Sequence, residues 1–160
     1  MVDVRVLESY EARVLTNVAP GVFDQPVDAR WCEEFFADAR HHLAVALDGD
    51  QVVGMASGVH YVHPDKPPEL WINEVGVAPT HEGRGIGKRL LAALLARGAA
   101  RGCEEAWVLT SRTNPAAQRM YQGAGGVETG EQPVMFTFRL GEPAAAAGDV
   151  AGGAARAAEA

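Results

Sequence analysis

The chain has little cysteine: Cys32 and Cys103 are its only two in 160 residues. They lie far apart and fit neither a metal-ligand spacing nor a redox pair. No metal site is therefore expected, and both read as buried thiols. Long apolar runs are also missing; none approaches the roughly 20 residues that a membrane helix requires. The start, Met1-Val-Asp-Val-Arg, carries no basic-then-apolar leader. These absences argue against a membrane partner and for a cytoplasmic protein. Basic charge is scarce too. The formal net charge is −7, whereas a nucleic-acid binder presents a basic face. Acidity instead suits a cationic small substrate.

What remains is ordinary globular composition, 48% hydrophobic and 22% charged, on a chain long enough for one domain with a core. Residues 141–160 differ: Ala and Gly fill 14 of the 20 positions. With no apolar period, that stretch is expected to be a disordered tail behind a single domain over 1–140. The domain keeps thirteen basic and eighteen acidic residues, net −5, so the acidity belongs mainly to the folded part.

Alternation predicts strands over Val2–Leu7, Leu43–Leu47, Gln51–Val62, Leu70–Val77, Ala106–Thr110 and Val134–Leu140. Asp48-Gly49-Asp50 makes a hairpin turn. Ser9 is read as the cap of a short helix through Val18, broken by Pro20-Gly21. Asp28 caps a second, with Trp31, Phe35 and Ala39 along one face. Ile86–Ala100 is a third, with Ile86, Leu90, Leu94 and Leu95 inward and Gly102 at its end. Asn114-Pro115, an N-cap followed by Pro at the first helical position, opens a fourth that runs to about Gln122. Strands 70–77 and 106–110 flank a helix and are predicted to be parallel. The fold class is α/β with a mixed sheet.

The most informative stretch is Glu82-Gly-Arg-Gly-Ile-Gly-Lys88, between a strand and a helix. Glycines at 83, 85 and 87 let the backbone approach a ligand, and the helix start aims free N–H groups and a positive dipole end at an anion. A Walker A loop needs Gly at 82 and Ser or Thr after the lysine, where Glu82 and Arg89 stand. A dinucleotide fingerprint needs Gly at 88 or 90, where Lys88 and Leu90 stand. A phosphate cradle of neither kind is left.

The glycine run, with Asn114, Ala117 and Tyr121 spaced as Asn-x-x-Ala-x-x-x-Tyr, resembles the GCN5-related N-acetyltransferases (GNAT) over nearly all of the chain up to Leu140. The resemblance implies a GNAT fold, a mixed central sheet with two splayed parallel strands flanked by helices, and acetyl-CoA (coenzyme A) as cofactor. The backbone of Val75 and Val77 would pair with the pantetheine arm. The N–H groups of Gly83, Arg84, Gly85, Ile86, Gly87 and Lys88 would hold the pyrophosphate. Glu82 stands where the family has Gln or Arg, removing a favourable charge for which Arg84, Lys88 or Arg89 would compensate. Glu74 is placed to take the proton of the attacking amine. Strand alternation puts it with Gly76, opposite Val75 and Val77. Tyr121 fits the proton donor to the departing thiolate. Asn114 is either a coenzyme contact or simply the N-cap.

The acceptor is read from acid clusters. Asp24, Asp28, Glu33, Glu34 and Asp38 face one arginine in segment 24–38, and Asp65 sits in the loop His63–Glu69. Asp24, Glu33, Glu34, Asp65 and Glu74 are the expected substrate contacts. Val22-Phe-Asp, Leu43-Ala-Val-Ala, Val52-Val-Gly, Trp71-Ile-Asn-Glu-Val-Gly-Val and Val134-Met-Phe-Thr-Phe look similar to GNAT-type aminoglycoside 3-N-acetyltransferases. That implies acetylation of an aminoglycoside antibiotic on its 3-amino group, hence resistance. A GNAT enzyme for another amine and a non-catalytic acyl-CoA-binding module are the rival readings. Family members are often dimers, and an edge strand near the C-terminus is compatible with a homodimer.

Overall fold

The computed structural model describes residues 1–130, 134–138 and 140; the Ala/Gly-rich stretch 141–160 lies outside the described residues. Among the described residues five strands form one mixed sheet in chain order: β1 Asp3–Val6, β2 His41–Asp48, β3 Gln51–Tyr61, β4 Glu69–Val77 and β5 Glu105–Trp107. Neighbours are antiparallel from β1 to β4. β4 and β5 are parallel, as the crossover through the helix α2 (Ile86–Ala100) demands. The two shorter helices are α1 (Ala29–Ala37) and α3 (Pro115–Gly123). No helix among the described residues is long and apolar enough to cross a membrane.

α2 fits the sheet because one face of the sheet carries very small residues. Ala44 and Ala46 on β2 stand opposite Ala56 and Gly54 on β3. A Cβ on Gly54 would come within 3.1 Å of Leu90, and one on Gly58 within 3.3 Å of Leu94. Ile86, Leu90, Leu91 and Leu94 fill the space so opened and are almost wholly buried; each contributes roughly 1.5–3 kcal/mol by leaving water. Leu91 thus takes the place expected for Leu95, which is only half-buried. On the opposite face, Leu43, Val45, Val53 and Met55 form the second half of the core with Leu15 and Val22.

Several local expectations are corrected. The first helix is a 3₁₀ helix over Ser9–Thr16, preceded by Glu8 rather than capped by Ser9; the Glu8 N–H donates to Glu11 Oε2 at 3.0 Å. It stops short of Val18 because the chain is drawn alongside β3. Ala19 N–H donates to Val52 O at 2.8 Å, and Val52 N–H to Asn17 O at 2.9 Å. Asp28 does cap α1, accepting from the N–H groups of Arg30 and Trp31. Its inward stripe is Cys32, Phe35 and Phe36. Trp31 is 59% exposed under the Arg30 guanidinium, and Ala39 lies past the helix end. Cys32 and Cys103 are free and half-buried, and burial pushes both thiols up.

These elements all lie in the unit Met1–Glu128, and Thr129–Ala160 is a second unit. The strand expected over Val134–Leu140 does not form among its described residues. Alternation specifies a face to bury, but a strand also needs a backbone partner for its N–H and C=O groups.

Candidate active site

β4 carries one extra residue against β3. Ser57 faces Glu74 and Gly58 faces Ile72, so Asn73 is a bulge. Because side chains alternate, one inserted residue exchanges the two faces of a strand. Before the bulge, Leu70 and Ile72 point at α2 and are buried. After it, Val75 and Val77 take that side. Glu74 and Gly76 are turned to the other, where residues 22–24 cross. The crossing is so close that a Cβ on Gly76 would run into the Val22 carbonyl oxygen.

The same bulge ends the parallel pairing. β5 meets β4 only at Glu69–Glu105, Leu70–Ala106 and Trp71–Trp107, so β5 is shorter than the expected Ala106–Thr110. A bulged strand bends, and from Ile72 onward β4 has no partner on that side among the described residues. Among the described residues the edge of Val75 and Val77 is free for pairing, and the glycine loop begins five residues further on.

The three glycines of the loop have different duties. Gly83 and Gly85 have φ of 71° and 74°, a left-handed conformation that other residues rarely adopt, and each faces open space. Gly87 is helical. A Cβ there would be 2.6 Å from Met120 Sδ and 3.9 Å from Val75 Cγ1, so Gly87 lets α3, α2 and β4 meet. The first intrahelical bond recorded is Arg89 N–H to Gly85 O at 3.3 Å. The N–H groups of Ile86, Gly87 and Lys88 precede it and are unpaired within the helix. That geometry fits a pyrophosphate. Of the cations expected to offset the exposed Glu82, Arg89 is committed elsewhere, donating to Val2 O at 2.9 Å. Arg84 donates to Thr80 O at 2.8 Å beside the loop, and Lys88 packs across Gly123.

Tyr121 is half-buried on α3 and packs against the core. Burial pushes its phenol up, so it keeps its proton at neutral pH. The Asn114 side chain is the helix cap, accepting from Ala117 N–H at 3.0 Å. Glu74 is raised above the ordinary carboxylate range, first by burial and then by repulsion from Asp24. No positive charge among the described residues offsets this. The structure thus brings together Glu74 and one of the expected substrate acids, Asp24.

It does not bring in the others. Glu33 lines a groove of about 920 Å³ between the 3₁₀ helix and α1, apart from β4. Glu34 is exposed on α1. Asp65 belongs to the loop before β4, which is itself separated from Glu74 by the run Glu69–Glu74, about 16 Å of extended strand. Composition marked all these acids alike; only the crossing at Gly76 singles out Asp24. The sequence reading missed Trp71 and Trp107, which stack on the Glu74 face of the sheet with ring centroids 5.2 Å apart. Their signal was one tryptophan in each parallel strand. Among the described residues no group of three or more His, Cys, Asp or Glu side chains is placed to hold a metal ion.

A parallel pair that parts after Trp71, a glycine turn opening a helix and a carboxylate on β4 between those two points define the class, a GNAT fold. The chain belongs to the acetyltransferase (GNAT) family, whose model matches residues 8–125. Family members use acetyl-CoA. The chain is 31% identical over 107 residues to the L-2,4-diaminobutyric acid acetyltransferase of Nocardia farcinica, which covers 65% of this chain and 52% of that protein. It is 34% identical over 104 residues to the aminoglycoside N(6′)-acetyltransferase type 1 of Salmonella typhimurium, covering 61% and 71%. It shares its fold with the aminoglycoside N-acetyltransferase AAC(6′)-Iy, solved with a CoA-S-monomethyl-acetylneamine bisubstrate analogue. There the TM-score is 0.72 at 23% identity, over 87% of this chain and 99% of that one. The chain spans about half the length of the diaminobutyric acid acetyltransferases it matches first.

The carboxylate pair has a direct check. Asp24→Asn removes the repulsion but not the burial, so the Glu74 titration, followed by carbon-13 NMR, is expected to move to lower pH. An unchanged midpoint would show that the two carboxylates do not interact.

Proposed function

We propose that this chain transfers the acetyl group of acetyl-CoA to a primary amine of an aminoglycoside. The observation that carries the reading is the pair of carboxylates, Glu74 and Asp24, on one face of β4 where it parts from β5, with no cation among the described residues to neutralise them. A polycationic acceptor supplies the missing charge. Bound acetyl-CoA would supply the activated acyl thioester. The free backbone edge at Val75 and Val77 and the N–H groups from Gly83 to Lys88 are the groups that would hold it.

Glu74 takes a proton from the acceptor's ammonium, directly or through a water, and leaves the free amine to attack. Its raised pKa narrows the gap to the amine and makes it a stronger base than an ordinary carboxylate. Asp24 holds a further ammonium of the same acceptor. Tyr121, still protonated, donates to the departing sulfur. Glu82 weakens the loop's attraction for phosphate without removing the backbone donors.

The 31% identity to a diaminobutyric acid acetyltransferase favours a second reading, a small diamino acid. The acid pair speaks against it, because that substrate's own carboxylate would face two more. The position acetylated is also open to test: the resemblance in the sequence implied the 3-amine, whereas the aminoglycoside relative is named for the 6′ position.

A thiol-release assay with acetyl-CoA against gentamicin, diaminobutyrate and short peptides separates these readings, with mass spectrometry placing the acetyl group. Aminoglycoside turnover with higher kcat/KM than the others is expected. Turnover confined to the diamino acid or peptides would discard the aminoglycoside reading, and coenzyme binding with no transfer at all would make the chain a binding module. In the same assay Tyr121→Phe is expected to lower kcat about 100-fold with little change in coenzyme affinity. Unaltered turnover would remove Tyr121 from the chemistry.

A further inference from the structure

We infer that Trp71, backed by Trp107, is the surface on which a ring of the acceptor lies, and that it sets a preference for cyclic polyamines over linear ones; this rests on the acetyltransferase reading above. The argument begins with register. Residues directly opposite in an antiparallel pair share a face. Ser57 stands opposite Glu74, Val59 opposite Trp71 and Tyr61 opposite Glu69. Ser57, Val59 and Tyr61 are alternate residues of β3, so they share a face, and Glu69, Trp71 and Glu74 share it with them. The bulge at Asn73 therefore puts Trp71 and Glu74 on the same side, two β3 residues apart, or about 7 Å. A strand without the bulge would have put them on opposite sides.

The indole is held in place. Its ring lies parallel to that of Trp107, with 6° between the planes. Trp107 Nε1 donates to the Tyr61 hydroxyl at 2.7 Å, and that hydroxyl donates to Glu69 Oε2 at 2.5 Å. Glu69 in turn pairs with Lys66. Trp107 covers one face of Trp71, yet Trp71 remains 41% exposed. A large aromatic kept rigid and left accessible beside two carboxylates suits one chemistry: a saturated ring bearing ammonium groups. The C–H face and the charge of such a ring are both attracted by an indole, while one of its amines reaches Glu74. A linear diamine offers the charge but no face.

The test compares kcat/KM for gentamicin with kcat/KM for 1,4-diaminobutane in the wild-type chain, Trp71→Phe and Trp71→Ala. Where the linear amine is not turned over, its inhibition constant takes the place of kcat/KM. The gentamicin-to-diamine ratio is expected to fall about tenfold in Trp71→Ala and to stay within about twofold in Trp71→Phe, which keeps an aromatic face. A ratio unchanged in Trp71→Ala overturns the platform, whether both rates fall together, as a purely structural tryptophan would give, or neither does. Absence of aminoglycoside turnover in the wild type overturns the proposed function and the platform with it. Retained turnover with an unchanged ratio overturns the platform alone.

Discussion

One inserted residue in β4 governs the rest of the site. The bulge at Asn73 exchanges the faces of the strand and bends it away from β5. The exchange aims Glu74 away from the helix-covered side. The bend leaves the backbone of Val75 and Val77 without a sheet partner among the described residues, beside the loop whose N–H groups begin α2. Remove the bulge, and Glu74 would point into the apolar layer under α2, where a carboxylate has nothing to pair with.

The remaining features hold these parts at the right separation. Small residues on β2 and β3 let α2 settle close to the sheet. Gly87 lets Met120 approach, which brings α3 and Tyr121 to the same end of the strand. Gly76 lets the chain at Val22 cross directly over β4, so that Asp24 acts on Glu74 through space. Each is a close approach that a single methyl group would disturb.

The local features were legible in the sequence. Asn114-Pro115 names a helix start through its own cap geometry, and the limits of α2 follow from an apolar stripe between glycines. The parallel pairing of β4 and β5 follows from a topological rule. What depended on two segments at once was hidden. Register along β3 and β4 decides the bulge, and nothing in Trp71-Ile-Asn-Glu marks Asn73 as unpaired. The length of β5 depends on that bend. Asp24 is one acid among several until the crossing at Gly76 is seen. Trp71 and Trp107 lie 36 residues apart in the chain and become neighbours only through the crossover. The segment 134–140 shows the converse: a clear alternating pattern with no strand in its described part.

The central claim is that Glu74 is the proton acceptor, aimed by the bulge and raised by burial and Asp24. The most direct measurement is the pH dependence of kcat/KM for acetyl transfer in the wild-type chain and in Glu74→Gln. A raised carboxylate that works deprotonated gives a wild-type rate that falls as pH drops through its pKa. The glutamine variant should be slower by about 100-fold or more and lack that acid limb. A variant with wild-type rates and the same acid limb would contradict the account.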